Sequence, residues 1–199
     1  MLIEKVIPFA TPIWKFRIEN DFQKEIAFCY EHETKFISNK KSNQGGYQSP
    51  DLNLMECFPS ILDGLMFGIG VVANDIGIGL ELSNSWININ RKNNFNLPHC
   101  HPNSAFSGVI YLKTNSTCGK INFRNPTASS VFPINDMING YFGRWFFSPE
   151  PGDVLIFPSY LDHYVEPNLS DEDRISISFN MNDQNYLRVN PHAITKTTI

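Results

Sequence analysis

From Arg174 to Asn180 the chain reads Arg-Ile-Ser-Ile-Ser-Phe-Asn, an unbroken alternation of polar and apolar side chains. Successive side chains on a strand point to opposite faces, so Ile175, Ile177 and Phe179 share one face. Arg174, Ser176, Ser178 and Asn180 share the other. Two arrangements satisfy this pattern: a sheet with its polar face in water, or a strand whose polar face lines the inside of a barrel. In the second, Arg174 offers a planar fork of donors to a carboxylate.

Segments of similar character precede it. Trp86 to Asn90 alternates, and Phe106 to Thr114, Gly119 to Phe123, Phe142 to Phe147, Gly152 to Phe157 and His163 to Val165 are strand-like. Asn, Gly and Pro separate them, as in the asparagine-rich turn Arg91 to Asn96. Upstream of Leu82 the periodicity is helical. Asn20-Asp21 can cap a helix to about Phe36, with Phe22, Ile26, Cys29 and Tyr30 buried and Lys24, Glu25, Glu31 and Glu33 solvated. Lys40 to Pro50, with Gly45-Gly46, reads as loop.

A second helix is expected from Pro59, with Phe58, Ile61, Leu62, Leu65, Ile69 and Val72 as a core stripe. Ile3 to Phe16, interrupted by Pro8 and Pro12, suits an edge strand or extended arm. The expected fold is therefore mainly β with flanking helices, a jelly-roll or cupin-like sandwich. One domain is expected, with helical support over about 1–82, a β core over about 83–180 and an extension over 181–199.

Composition narrows the classes of function. The 199 residues are 42% hydrophobic and include 16 Phe, enough for a packed core. A net charge of −4 without a basic run argues against a nucleic-acid platform. Cys29, Cys57, Cys100 and Cys118 form no C-x-x-C pair, which disfavours a zinc ribbon and fits reduced thiols in the cytoplasm. The N-terminus lacks the apolar core of a signal peptide. Asp63, Asn74, Asp75 and several glycines interrupt the apolar stretch Leu62 to Leu82, so no membrane span is expected. The oligomeric state is open, a homodimer included.

The chemistry gathers at Asn96-Leu97-Pro98-His99-Cys100-His101-Pro102. The two prolines disfavour helix, and in an extended chain His99 and His101 point the same way while Cys100 points oppositely. Two such imidazoles suit one metal ion if a third ligand arrives from elsewhere. His163 follows the fully apolar run Val154 to Phe157 and precedes Arg174 by eleven residues. A solitary histidine there is commonly structural. The company of the paired histidines and of the Arg174 strand favours a mononuclear iron site, and with it the barrel-interior arrangement.

Seven stretches carry a resemblance to a known family. They are Phe9-Ala10-Thr11-Pro12-Ile13-Trp14, Gly45-Gly46-Tyr47-Gln48-Ser49, Trp86-Ile87-Asn88-Ile89, His99-Cys100-His101-Pro102, Ser107-Gly108-Val109-Ile110-Tyr111-Leu112, Phe157-Pro158-Ser159 with His163, and Arg174 to Asn180. In this order they resemble the iron(II)- and 2-oxoglutarate-dependent oxygenases, specifically a small subgroup from bacteria and phages. The resemblance runs from about Phe9 to Asn180. It implies a double-stranded β-helix, an iron ion held by His-x-Asp/Glu and a distal His, and an Arg that grips 2-oxoglutarate. It also implies hydroxylation of a substrate with O2, releasing succinate and CO2.

Carried onto this sequence, the resemblance makes His99 the first ligand, His163 the distal one and Arg174 the anchor for the C5 carboxylate. Ser176 matches the serine of an Arg-x-Ser pairing beside that carboxylate, and Tyr111 and Asn88 are further candidate contacts to the co-substrate. The family's carboxylate position is His101 here. Either His101 ligates, as the same-face geometry favours, giving a neutral three-His set, or it stands aside for water or another small ligand.

The expected activity is a 2-oxoglutarate-dependent oxygenase acting on a small molecule or peptide. Two competitors are a three-His cupin-type dioxygenase independent of 2-oxoglutarate and a non-catalytic metal-binding β-sandwich. Tyr141-Phe142, Trp145 and Phe146-Phe147 read as a packed strand, and His32 and His192 as surface residues.

Overall fold

The computed structural model describes residues 11–126 and 143–185. In chain order the elements are β1 (Trp14–Arg17), α1 (Gln23–Lys35), β2 (Asn43–Gln44), β3 (Tyr47–Gln48), α2 (Leu54–Cys57) and α3 (Leu62–Ile76). There follow β4 (Leu80–Asn90), β5 (Phe95–His99), β6 (Phe106–Lys113), β7 (Ile121–Arg124), β8 (Arg144–Phe147), β9 (Asp153–Pro158), β10 (His163–Val165) and β11 (Arg174–Asp183). One antiparallel sheet runs β1-β9-β6-β11-β4-β3 and the other β2-β5-β10-β7-β8. This is the expected double-stranded β-helix with flanking helices.

β11 sits between β4 and β6, so both its edges are paired and its two faces decide the architecture. Ile175, Ile177 and Phe179 join Ile87 and Ile89 of β4 in a buried cluster with Ile61, Leu65, Ile69 and Val72 of the α3 region. Burying an Ile, Leu or Val side chain is worth roughly 1.5–3 kcal/mol, so this face commits the sheet to the helices. Its opposite face, Arg174, Ser176 and Asn180, is buried too and turns toward the second sheet. The barrel interior, not water, receives the polar side.

Between the sheets, Val109, Tyr111, Ile121, Phe123, Leu155, Phe157 and Leu161 form a second apolar cluster. Gly108 admits the Phe179 ring, since a Cβ there would lie 2.2 Å from Phe179 Cζ.

Several expectations need correction. Lys40–Pro50 is not only loop: β2 pairs with β5 and β3 with β4, so the Gly45-Gly46 turn carries the chain from one sheet to the other. Glu25, expected in solvent, is buried and accepts a hydrogen bond from Ser60, because Pro59–Ser60 folds over α1. Pro59 opens a 3₁₀ turn, Pro59–Ile61, and α3 proper starts at Leu62.

β11 continues through a bulge after Asn180 to Asp183, since β4 extends back to Leu80 to meet it. Trp145 and Phe146 are exposed on the edge strand β8, whereas Phe147 packs edge-on against Phe123. His32 is partly buried, bonded through Nδ1 to Tyr47 Oη at 2.9 Å. Tyr141, Phe142 and His192 lie outside the described residues, as does the stretch before Thr11. By length and composition Pro59–Ile76 is apolar enough to cross a bilayer. Its Ile61, Leu65, Ile69 and Val72 stripe belongs to the core cluster just described.

Candidate active site

β10 lies between β5 and β7, and its first residue, His163, is the register partner of His99 at the end of β5. His101 follows just beyond β5, held by its backbone N–H on Ser159 O at 2.9 Å. The His99 and His101 rings are 5.2 Å apart between centroids, His99 and His163 4.3 Å, and His101 and His163 5.1 Å. One nitrogen from each falls within 4.8 Å of the others, a spacing that suits a shared metal ion.

The ring orientation follows from hydrogen bonds. His99 Nδ1 meets Leu97 O at 2.7 Å and His163 Nδ1 meets Leu161 O at 2.9 Å. A carbonyl oxygen only accepts, so Nδ1 carries the proton in both and Nε2 keeps its lone pair. His101 Nδ1 lies 2.7 Å from Asn180 Oδ1. Burial lowers the pKa of all three histidines, to about 4 for His101 and about 3 for His163, and neighbouring imidazoles add to the shift of these two. Hydrogen bonds to Leu97, Asn180 and Leu161 oppose that shift without overcoming it. At neutral pH the cluster is uncharged, the state in which imidazole binds metals.

Arg174 opens β11 and is 1% exposed. Its Nη1 donates to the carbonyls of Cys118 and Glu166, while Nη2 is buried with no partner among the described residues. Glu166, whose charge acts on it, spends its carboxylate on Lys120 N and Asn122 Nδ2. Burial disfavours the guanidinium charge. A buried cation with an idle donor calls for an anion, and a carboxylate matches its fork.

His99, His101, His163, Arg174, Ser176, Tyr111 and Asn88 all line one cavity of about 540 Å³. The Tyr111 and Ser176 hydroxyls make no hydrogen bond among the described residues, whereas Asn88 Nδ2 donates to Ser178 Oγ at 3.0 Å. Among the described lining residues the single carboxylate is Asp51, which is exposed at the opening. The interior is therefore neutral at the histidines and positive at Arg174.

Three contributors escaped the sequence reading. Ser42 Oγ is 3.3 Å from His99 Nε2 and accepts from Asn96 Nδ2 at 3.1 Å. It sits in a polar loop without a local signal. Trp86 packs its ring 5.4 Å from His101, and Asn180 bonds that same ring. Both lie on strands whose alternation placed them on a face without saying what that face would meet.

Residues 84–180 match a family model described as "Putative 2OG-Fe(II) oxygenase", a span that contains all seven candidate residues. Among curated proteins, no relative is detectable by sequence. Solved structures share the fold. A Pseudomonas putida prolyl-4-hydroxylase aligns with a TM-score of 0.63 at 14% identity, covering 86% of this chain and 92% of its own. HygX from Streptomyces hygroscopicus, solved with nickel and 2-oxoglutarate bound, aligns at 0.58 and 13% identity, covering 87% and 84%. A prolyl hydroxylase from Trichoplax adhaerens, in complex with a hypoxia inducible factor peptide fragment, aligns at 0.62 and 11%, covering 89% and 86%.

Proposed function

We propose that this chain, which belongs to the iron(II)- and 2-oxoglutarate-dependent oxygenase superfamily, holds iron(II) on His99, His101 and His163 and hydroxylates a small molecule or peptide. The observation that carries this reading is one cavity containing both three converging imidazoles and a buried guanidinium with an unpartnered nitrogen. The imidazoles fit a divalent transition metal. The guanidinium fits the C5 carboxylate of 2-oxoglutarate, with Ser176 and Tyr111 offering hydroxyls beside it.

Iron, 2-oxoglutarate and O2 together supply the oxidising chemistry, ending in succinate, CO2 and hydroxylated product. The chain's own residues bind, orient and exclude water. Arg174, at 1% exposure, attracts a carboxylate in surroundings that screen charge far less than water does. Val109, Ile121, Phe157 and Val165 wall the cavity with apolar groups. Three neutral ligands leave the full charge of a divalent ion in place, which strengthens the hold on a dianionic co-substrate. The same reading takes the chain as one domain, with residues 1–82 supporting a β core at 83–180. The four free cysteines suit a reducing cytoplasm.

The neutral three-His set also suits a dioxygenase that needs no oxoacid, but such an enzyme has no use for the idle nitrogen of Arg174. Anaerobic loading with iron(II) and 2-oxoglutarate, followed by exposure to O2, separates the readings. Succinate formation that Arg174→Ala abolishes is expected. Retained iron without succinate turns the assignment to the oxoacid-independent dioxygenase. Tightly held zinc, with no O2 uptake after iron loading, turns it to a non-catalytic module.

A further inference from the structure

We infer that Asn180 is a positioning residue: its side-chain oxygen keeps the His101 proton on Nδ1 and thereby leaves Nε2 as the nitrogen that would take a metal ion. This rests on the three-histidine reading above. His99 and His163 have their tautomers set by backbone carbonyls, Leu97 O and Leu161 O, which cannot reverse polarity. Among the described residues His101 Nδ1 bonds to side chains alone, Asn180 Oδ1 at 2.7 Å and Ser107 Oγ at 3.0 Å. Its tautomer is therefore written in the choice of side chains around it.

The polarity of that surrounding can be traced outward. Asp51 at the opening is a carboxylate, so it accepts from Asn84 Nδ2 at 3.3 Å. That leaves Asn84 Oδ1 to accept from Asn180 Nδ2 at 3.0 Å. Asn180 Oδ1 is then the atom facing His101, and it also takes the Ser107 hydroxyl proton at 2.7 Å. Having given up its one proton, Ser107 Oγ can only accept from Ser159 Oγ, 2.7 Å away, and from His101. Both groups around Nδ1 are thus acceptors, and the imidazole must donate.

Asn180 is buried and forms part of the polar face of β11. An amide supplies the acceptor without adding charge, which keeps the three-histidine set neutral. Hydrogen-bond partners of metal ligands typically govern ligand orientation and basicity.

The test uses metal-free protein labelled with ¹⁵N histidine, in which two-bond ¹H–¹⁵N correlations report each tautomer, and zinc(II) or cobalt(II) titrations of the same samples. In the unaltered protein His101 is expected to carry its proton on Nδ1. Asn180→Leu is expected to shift that proton to Nε2 and to weaken metal binding about 10–100-fold. In a His101→Ala background the same substitution should change affinity by less than about twofold, because it acts only through that ring.

Asn180→Asp, the near-isosteric variant, should keep the Nδ1 proton and bind metal several-fold more tightly. An unchanged tautomer in Asn180→Leu, full additivity with His101→Ala, or an Asn180→Asp affinity at or below the original overturns the role of Asn180. Should the unaltered protein bind no zinc or cobalt, or should His99→Ala and His163→Ala bind them unchanged, the three-histidine reading itself falls, whatever the tautomer shows.

Discussion

His99 and His163 are register partners across β5 and β10, with ring centroids 4.3 Å apart. His163 is also the partner of Phe123 across β7, and its ring packs against Phe157 at 4.8 Å. Sheet pairing thus brings together two imidazoles from distant segments, and an aromatic wall fixes one of them. Substitution of either ring by Ala is expected to lower iron(II) affinity by at least about 100-fold, the upper end of what loss of a ligand's hydrogen-bond partner costs. Anaerobic metal titration checks this, and two variants that still bind normally would remove both from the ligand set.

Arg174 is expected to matter for 2-oxoglutarate and not for metal. Arg174→Ala should weaken 2-oxoglutarate binding by about 2–5 kcal/mol, the usual consequence of removing one partner of a buried charged pair. Metal affinity should stay within about twofold of the original, since the histidines lie on other strands. Arg174→Lys keeps the charge but loses the fork, so it should recover binding only in part. Equilibrium titration of 2-oxoglutarate into nickel(II)-loaded variants distinguishes these outcomes.

Gly119 supports that guanidinium from behind. Its φ is +85°, and a Cβ there would lie 2.5 Å from Glu166 O, 2.7 Å from Pro167 O and 3.0 Å from Arg174 Nη1. Gly119→Ala should therefore cost about 1–3 kcal/mol of stability through backbone strain. It should also weaken 2-oxoglutarate more than metal, because Glu166 O is one of the carbonyls that hold Nη1. Thermal melts paired with the two titrations read both effects, and equal weakening of both ligands would point to general unfolding instead.

Burial holds the three histidine pKa values below 6.5, with His101 at about 4 and His163 at about 3. In acid the unfolded chain takes up these protons before the folded one does. The contribution to stability of the metal-free protein is therefore complete above pH 6.5 and is lost as pH falls through 6.5 toward those lower values. Each histidine adds a slope of about 1.4 kcal/mol per pH unit within its window. Urea unfolding between neutral and mildly acidic pH should show this, with a shallower slope in His163→Ala. An identical slope in that variant would mean that His163 is not the buried neutral group described.

Strand periodicity is a local property, and for that reason much of this site could be read before folding. The alternation from Arg174 to Asn180 told which side chains share a face, and the proline-flanked His99-Cys100-His101 told which rings point together. Neither alone could tell what each face meets, and only their combination favoured the barrel interior. That depends on α3 covering Ile175, Ile177 and Phe179, which leaves Arg174 and Asn180 the interior, and on β10 pairing between β5 and β7.

Glu25 and Ser42 show the limit from the other side, since a charged helical residue and a loop serine carry no local sign of the partners they find. Residue order along the chain dictated the faces. Contacts between residues far apart in sequence chose which face became the cavity, because burial is a property of neighbours in space.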